Sequence, residues 1–163
     1  MIELLVYTFI LVLLLSAIMY ALIAISGLYR SIKSATVIKA AAQVTLERMV
    51  RDIRAASSVD IPNSVFNASP GQLTLNAFDD ADATTTTRFN LVGDIPHVAE
   101  DGVDQGPLAS DAVRVTSLIF RPIASAKSSG IKIEMQIESG SGKDYRAETF
   151  YSTAVLRGSY PVQ

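Results

Sequence analysis

A chain of 163 residues with 49% apolar residues, 18% charged residues and a formal charge of −2 has room for one modest domain and one long additional element. It contains no cysteine and a single histidine, which excludes disulfides and thiolate metal sites and leaves Ser/His catalysis and zinc centres without their usual side chains. The charge is uneven: residues 30–57 carry +4 and residues 58–163 carry −5, so the distal part offers no electrostatic footprint for nucleic acid.

The first element is apolar. From Leu4 to Tyr29 there is no charged residue and no Pro. A helix needs roughly 20 apolar residues to cross about 30 Å of hydrocarbon, and this run is longer. A soluble core helix keeps a polar face, whereas this one is apolar all round. A secretory signal has a basic flank and an apolar stretch of about 7–15 residues; Met1-Ile2-Glu3 brings no Lys or Arg, so the expectation is an anchor that stays. The aromatics Tyr7, Phe9, Tyr20 and Tyr29 are read as membrane-compatible packing or interfacial side chains.

The helical signal continues. Ile38, Ala42, Leu46, Met49, Val50, Ile53 and Ala56 recur every three or four residues, which makes a one-sided apolar stripe. Glu47 with Arg51 and Arg48 with Asp52 are expected i,i+4 pairs on the other side. One helix from about Ile2 to about Ser57 is therefore predicted, on the order of 80 Å long. The basic stretch that follows the apolar run is suited to lipid head groups or acidic neighbours.

Beyond Ser57 the period falls to two. Strands are predicted at Gln72–Phe78, Thr85–Val92, Ala112–Arg121, Ile131–Glu138 and Tyr145–Leu156, with Ser139–Asp144 as a hairpin loop. The segment from Asp94 to Asp111 lacks periodicity and is predicted to be an acidic surface loop carrying an exposed His97. A small antiparallel sheet cannot bury its apolar face alone, so it is expected to wrap the striped half of the helix. The result is an α+β chain in three parts: residues 1–29 apolar helix, 30–57 amphipathic helix, and 58–163 a small C-terminal antiparallel β-sheet head.

Other motifs carry little. Asp79-Asp80-Ala81-Asp82 lacks the Gly and distal Glu of an EF-hand and reads as a solvated turn. Gly140-Ser141-Gly142-Lys143 lacks the upstream Gly of a phosphate loop and is followed by a strand pattern. Asn67-Ala68-Ser69 fits a glycosylation sequon but precedes Pro70, and no modification is assigned to it. No catalytic residue, metal site or cofactor is expected.

Ile2-Glu3-Leu4-Leu5-Val6 resembles the second half of the prepilin methylation motif, with Met1 where that family has Leu. Leu46-Glu47-Arg48-Met49-Val50-Arg51-Asp52-Ile53-Arg54-Ala55-Ala56 is similar to the helix end of minor pilins and pseudopilins. The resemblance covers about the first 55 residues. It implies a pilin-like fold and a structural subunit of a type IV pilus or a type II secretion pseudopilus, not an enzyme. The partners it implies are other pilin or pseudopilin subunits, membrane lipid before assembly, prepilin peptidase and the assembly platform. Glu3 would set axial register by pairing with the α-amino group of an adjoining subunit. Leu4, Leu5, Val6, Phe9 and Leu13 would line the membrane-embedded and later the filament core. Met1 is expected to be a trimmed or misassigned start. The basic residues all follow the span, which by itself favours an inside head; a basic leader of the family's kind places the head outside the cytoplasmic membrane instead. The Pro common in the middle of the family's apolar helix is absent here. The alternative is a single-span, extracytoplasmic ligand-binding protein that never polymerises.

Overall fold

The computed structural model describes residues 2–78, 83–125, 128–142 and 145–157. A single helix, α1 (Ile2–Ala55), is followed by eight strands: β1 (Ser58–Val59), β2 (Leu73–Phe78), β3 (Thr84–Val92), β4 (Ile95–Glu100), β5 (Val103–Pro107), β6 (Arg114–Ser125), β7 (Ser128–Ser139) and β8 (Arg146–Val155). The α+β layout is as expected, but the head holds two antiparallel sheets, β1-β2-β3-β4-β5 and β6-β7-β8, where one was predicted.

With no Pro before position 62 the helix runs unbroken past Gly27. It ends because the chain finds other partners: the Ser57 amide donates to Asn76 O at 2.8 Å and the Ser57 hydroxyl to the same carbonyl at 2.9 Å, which starts the short pairing of β1 with β2. The predicted stripe is the face that packs. Ile38, Ala42, Met49, Ile53 and Ala56 are fully buried, with Leu46 and Val50 at the margin. This face lies on β7 and β8 and reaches β2. Thr45 belongs to the same face and was missed; its buried Oγ1 donates to Leu108 O at 3.3 Å, so its hydroxyl is satisfied inside the core. The sheets answer with Leu73, Leu75, Phe89, Leu118, Phe120 and the alternate β7 residues Ile131, Ile133, Met135 and Ile137. The strict alternation of β7 thus buries one face, as its sequence indicated.

Of the two expected helix-surface pairs, Arg48 meets Asp52 at 2.7 Å. Arg48 also reaches Glu100 of β4 at 2.8 Å, tying the helix to the five-stranded sheet. Glu47 instead accepts from Gln43 Nε2, and Arg51 lies beside Asp52.

The main correction concerns residues 94–111. They contain the whole hairpin β4–β5 and are not a loop, and His97 stands on β4 with a side chain only 17% exposed and Nδ1 2.9 Å from Asp104. Two glycine-containing dipeptides make this possible. Gly93-Asp94 joins β3 to β4 with φ of 57° and 65°, and Asp101-Gly102 joins β4 to β5 with φ of 49° and 82°. Two-residue turns with both φ positive match the twist of antiparallel strands.

The sheets are joined by a strap at residues 67–71 along the outer edge of β6. The Asn67 amide donates to Phe120 O at 2.9 Å, and the Gly71 amide to Leu118 O at 2.8 Å. A Cβ on Gly71 would lie 2.8 Å from that carbonyl, 3.1 Å from Phe120 Cδ2 and 3.2 Å from Ala68 O. Backbone cannot yield as a side chain tip can, so Gly71→Ala is expected to cost about 1–3 kcal/mol. The check is the thermal midpoint of the head, followed by near-UV circular dichroism in detergent; an unchanged midpoint would refute the tight approach.

Acid should loosen the head. Asp104 is held below the ordinary carboxylate range by the Gly106 amide and then by His97, and Glu134 by Lys132 and then Arg121. A depressed carboxylate contributes stability that is present above its unfolded pKa and is lost as pH falls through the folded one. Head stability is therefore expected to hold from neutral pH down to about 5 and to decline below about 4. Glu134→Gln should flatten part of that decline in a pH series of the same melts; an acid limb unchanged by the substitution would contradict it.

Candidate functional site

The site of interest is the half of α1 that touches no core. Residues 2–27 are exposed throughout, including every residue singled out above: Glu3, Leu4, Leu5, Val6, Phe9 and Leu13. Among the described residues of 2–29, nineteen large apolar side chains are exposed, from Ile10 at 47% to Ile2 at 78%. At a conservative ~1 kcal/mol each, hydrating them would cost on the order of 20 kcal/mol. Whole-domain stabilities are about 5–15 kcal/mol, so leaving this segment in water costs more than a typical domain gains by folding.

Its hydroxyls turn back onto the helix. Thr8 Oγ1 donates to Leu4 O and Leu5 O at 2.9 and 3.0 Å, Ser16 Oγ to Leu13 O at 2.8 Å, and Ser26 Oγ to Ile23 O at 2.9 Å. Each hydroxyl is satisfied by the helix's own carbonyls, an arrangement compatible with hydrocarbon and shared by Thr36 beyond the apolar run, whose Oγ1 donates to Ile32 O at 3.0 Å. The charge-free stretch Leu4–Tyr29 is about 39 Å long at 1.5 Å per residue, enough to cross about 30 Å with some tilt. Among the described residues α1 is the one helix long and apolar enough to cross a membrane, with a mean hydropathy of 2.7 over its most apolar window and none of that window buried.

Glu3 stands at one end of this segment, in the first turn, where a negative charge complements the helix dipole. At the other end the stripe begins at Ile38, so rod and head are one continuous element with no linker between them.

Comparison with known family models, curated proteins and solved structures finds no match.

The remaining candidates fall away from this helix. Asp79–Asp82 lies outside the described residues, as do Lys143 and Asp144 of the β7–β8 loop, whose flanking strands pair from Ser139 with Arg146 onward. Among the described residues no group of three His, Asp or Glu side chains is placed to hold a metal ion. What sequence reasoning missed is at the distal end of α1. Arg51 and Arg54 line an open groove of about 500 Å³ with Thr153, Val155 and Arg157 of and just after β8. The signal was present in the density of arginines near position 51, but not their meeting with Arg157.

Proposed function

We propose that the chain is a structural, non-catalytic filament subunit of the type IV pilin or pseudopilin kind. It is anchored by α1 in the cytoplasmic membrane with its head outside, and it later polymerises by packing Leu4–Leu28 against other copies. One observation carries this reading: an unbroken helix whose first half is apolar on every side and lies outside any core, while its second half is the central rod of the head. A lipid anchor alone needs no rigid continuation into the head, whereas a filament subunit does, because the rod must fix each head relative to its neighbours. The motif Ile2–Val6 and the helix end Leu46–Ala56 support the same reading by resemblance.

The test is to shear cells, pellet the released material and measure the N-terminal residue of this chain by mass spectrometry. Sheared filaments containing the chain with a processed, methylated N-terminus are expected. Its confinement to the membrane fraction would contradict the proposal.

A second reading draws on one feature. An apolar cavity of about 410 Å³ at the far end of the head is lined by Val59, Ile61, Phe66, Ile123, Ile131 and Leu156. A tethered ligand-binding protein that does not polymerise would use it, and the same shear experiment separates the two.

A further inference from the structure

We infer that the arginine groove at the end of α1 receives the acidic β4–β5 hairpin of a second copy of this chain, an inference that rests on the filament reading. Three guanidinium groups, Arg51, Arg54 and Arg157, line the groove, and among the described residues no acidic side chain does. This is a concentrated positive surface on a head whose residues 58–163 carry −5. Arg51 pairs with Asp52 at 3.6 Å but keeps 68% of its side-chain surface exposed.

The complementary surface lies across the same helix end. Arg48, Asp52 and Ala55 form a second groove with Thr85–Thr87 of β3 and with Glu100 and Asp101 at the β4–β5 turn. Ala55 lines both grooves, and Arg48 and Arg54 are about 120° apart around the axis. The ridge of the helix end therefore separates a basic flank from an acidic one. On the acidic flank Glu100 keeps 45% of its side-chain surface and Asp101 is exposed, while Asp104, on the adjoining strand β5, keeps 55%. Among the described residues of that groove one cation, Arg48, faces three carboxylates, Asp52, Glu100 and Asp101.

Arg51 meets Asp52 of the acidic flank at 3.6 Å within one molecule; joining the remaining charges between two molecules is a heterologous contact. Such a contact leaves a free basic flank at one end and a free acidic flank at the other, so it repeats. A lipid head group of the chain's own membrane is a poor occupant, since Arg54 lies about 38 Å along the helix from Tyr29. Guanidinium forks matched to carboxylates give directional pairing, and the apolar half-helix supplies attraction without direction.

The absence of cysteine makes the test clean. Cells co-expressing Arg54→Cys and Asp101→Cys copies are sheared, and the filaments are treated with a short bifunctional thiol reagent; Arg157→Cys with Asp104→Cys is the second pair. A cross-linked dimer is expected from each mixture and not from either variant alone. Arg54→Glu with Arg157→Glu should lower filament yield at least tenfold, and adding copies with Asp101→Arg and Asp104→Arg should restore it. Filaments that form normally with the reversed arginines, or that give no mixed cross-link with either pair, overturn the inference and leave the filament reading standing. Failure of the unaltered chain to form filaments removes both.

Discussion

Replacing Glu3 by Ala is expected to leave the chain in the membrane and to remove it from filaments. Glu3 immediately precedes a charge-free stretch that runs from Leu4 to Tyr29. On insertion scales a carboxylate costs about 2.5–3.5 kcal/mol at the centre of a membrane helix and less at its margin, so its loss should make insertion no harder. Assembly is different. If the carboxylate pairs with the amino terminus of a neighbour, each subunit loses a charged contact in a low-dielectric core. Every 1.4 kcal/mol is a factor of ten in an association constant, so a drop of at least about tenfold in sheared filament is expected. Glu3→Gln keeps the side chain's shape and hydrogen-bonding oxygen but not its charge, and should behave like the Ala variant. The readout is the ratio of sheared to membrane-bound chain. An unchanged ratio in both variants would show that Glu3 serves only as a helix N-terminal charge.

The second large effect concerns the joint between rod and head. Ile53 is fully buried in the core shared by α1 and both sheets. Truncating a buried Ile to Ala typically costs about 2–5 kcal/mol, a large part of the about 5–15 kcal/mol a domain has. Ile53→Ala is therefore expected to loosen the head from the helix, raise its protease sensitivity and lower its melting midpoint. Insertion of residues 4–29 should be unaffected. Val44, on the same half of the helix but 59% exposed, is the control, and Val44→Ala should change stability by about 0.5 kcal/mol or less. Equal effects of the two substitutions would contradict the packing described here.

The helix and the three-stranded sheet were legible in the sequence because their signals are local and periodic. The stripe from Ile38 to Ala56 and the alternation of Ile131–Glu138 each repeat often enough to define a face. The five-stranded sheet was only half legible. β4 contains Pro96 and buries the adjacent Val98 and Ala99 at a bulge, which breaks alternation. β5 carries Asp104, Gln105 and Gly106 and is held by backbone pairing more than by apolar burial. The signal that would have found both lies in the turns, Gly93-Asp94 and Asp101-Gly102, whose chemistry specifies hairpins even where the strands are weak. Thr45 was passed over because a hydroxyl does not count in an apolar stripe; its partner, Leu108 O, is distant in sequence. The exposed apolar half-helix and Glu3 were fully visible, since composition alone defines them. The arginine groove was not, because Arg157 joins Arg51 and Arg54 only through the fold.

The most direct measurement places a single cysteine at the middle of the apolar rod, as Leu13→Cys, in a chain that has none of its own. Sheared, pelleted material and membranes are oxidised separately. The account expects disulfide-linked dimers of Leu13→Cys in the pelleted material, and free thiols in newly made, membrane-embedded chain. A chain that stays monomeric in lipid, with no released polymer under any growth condition, would contradict it.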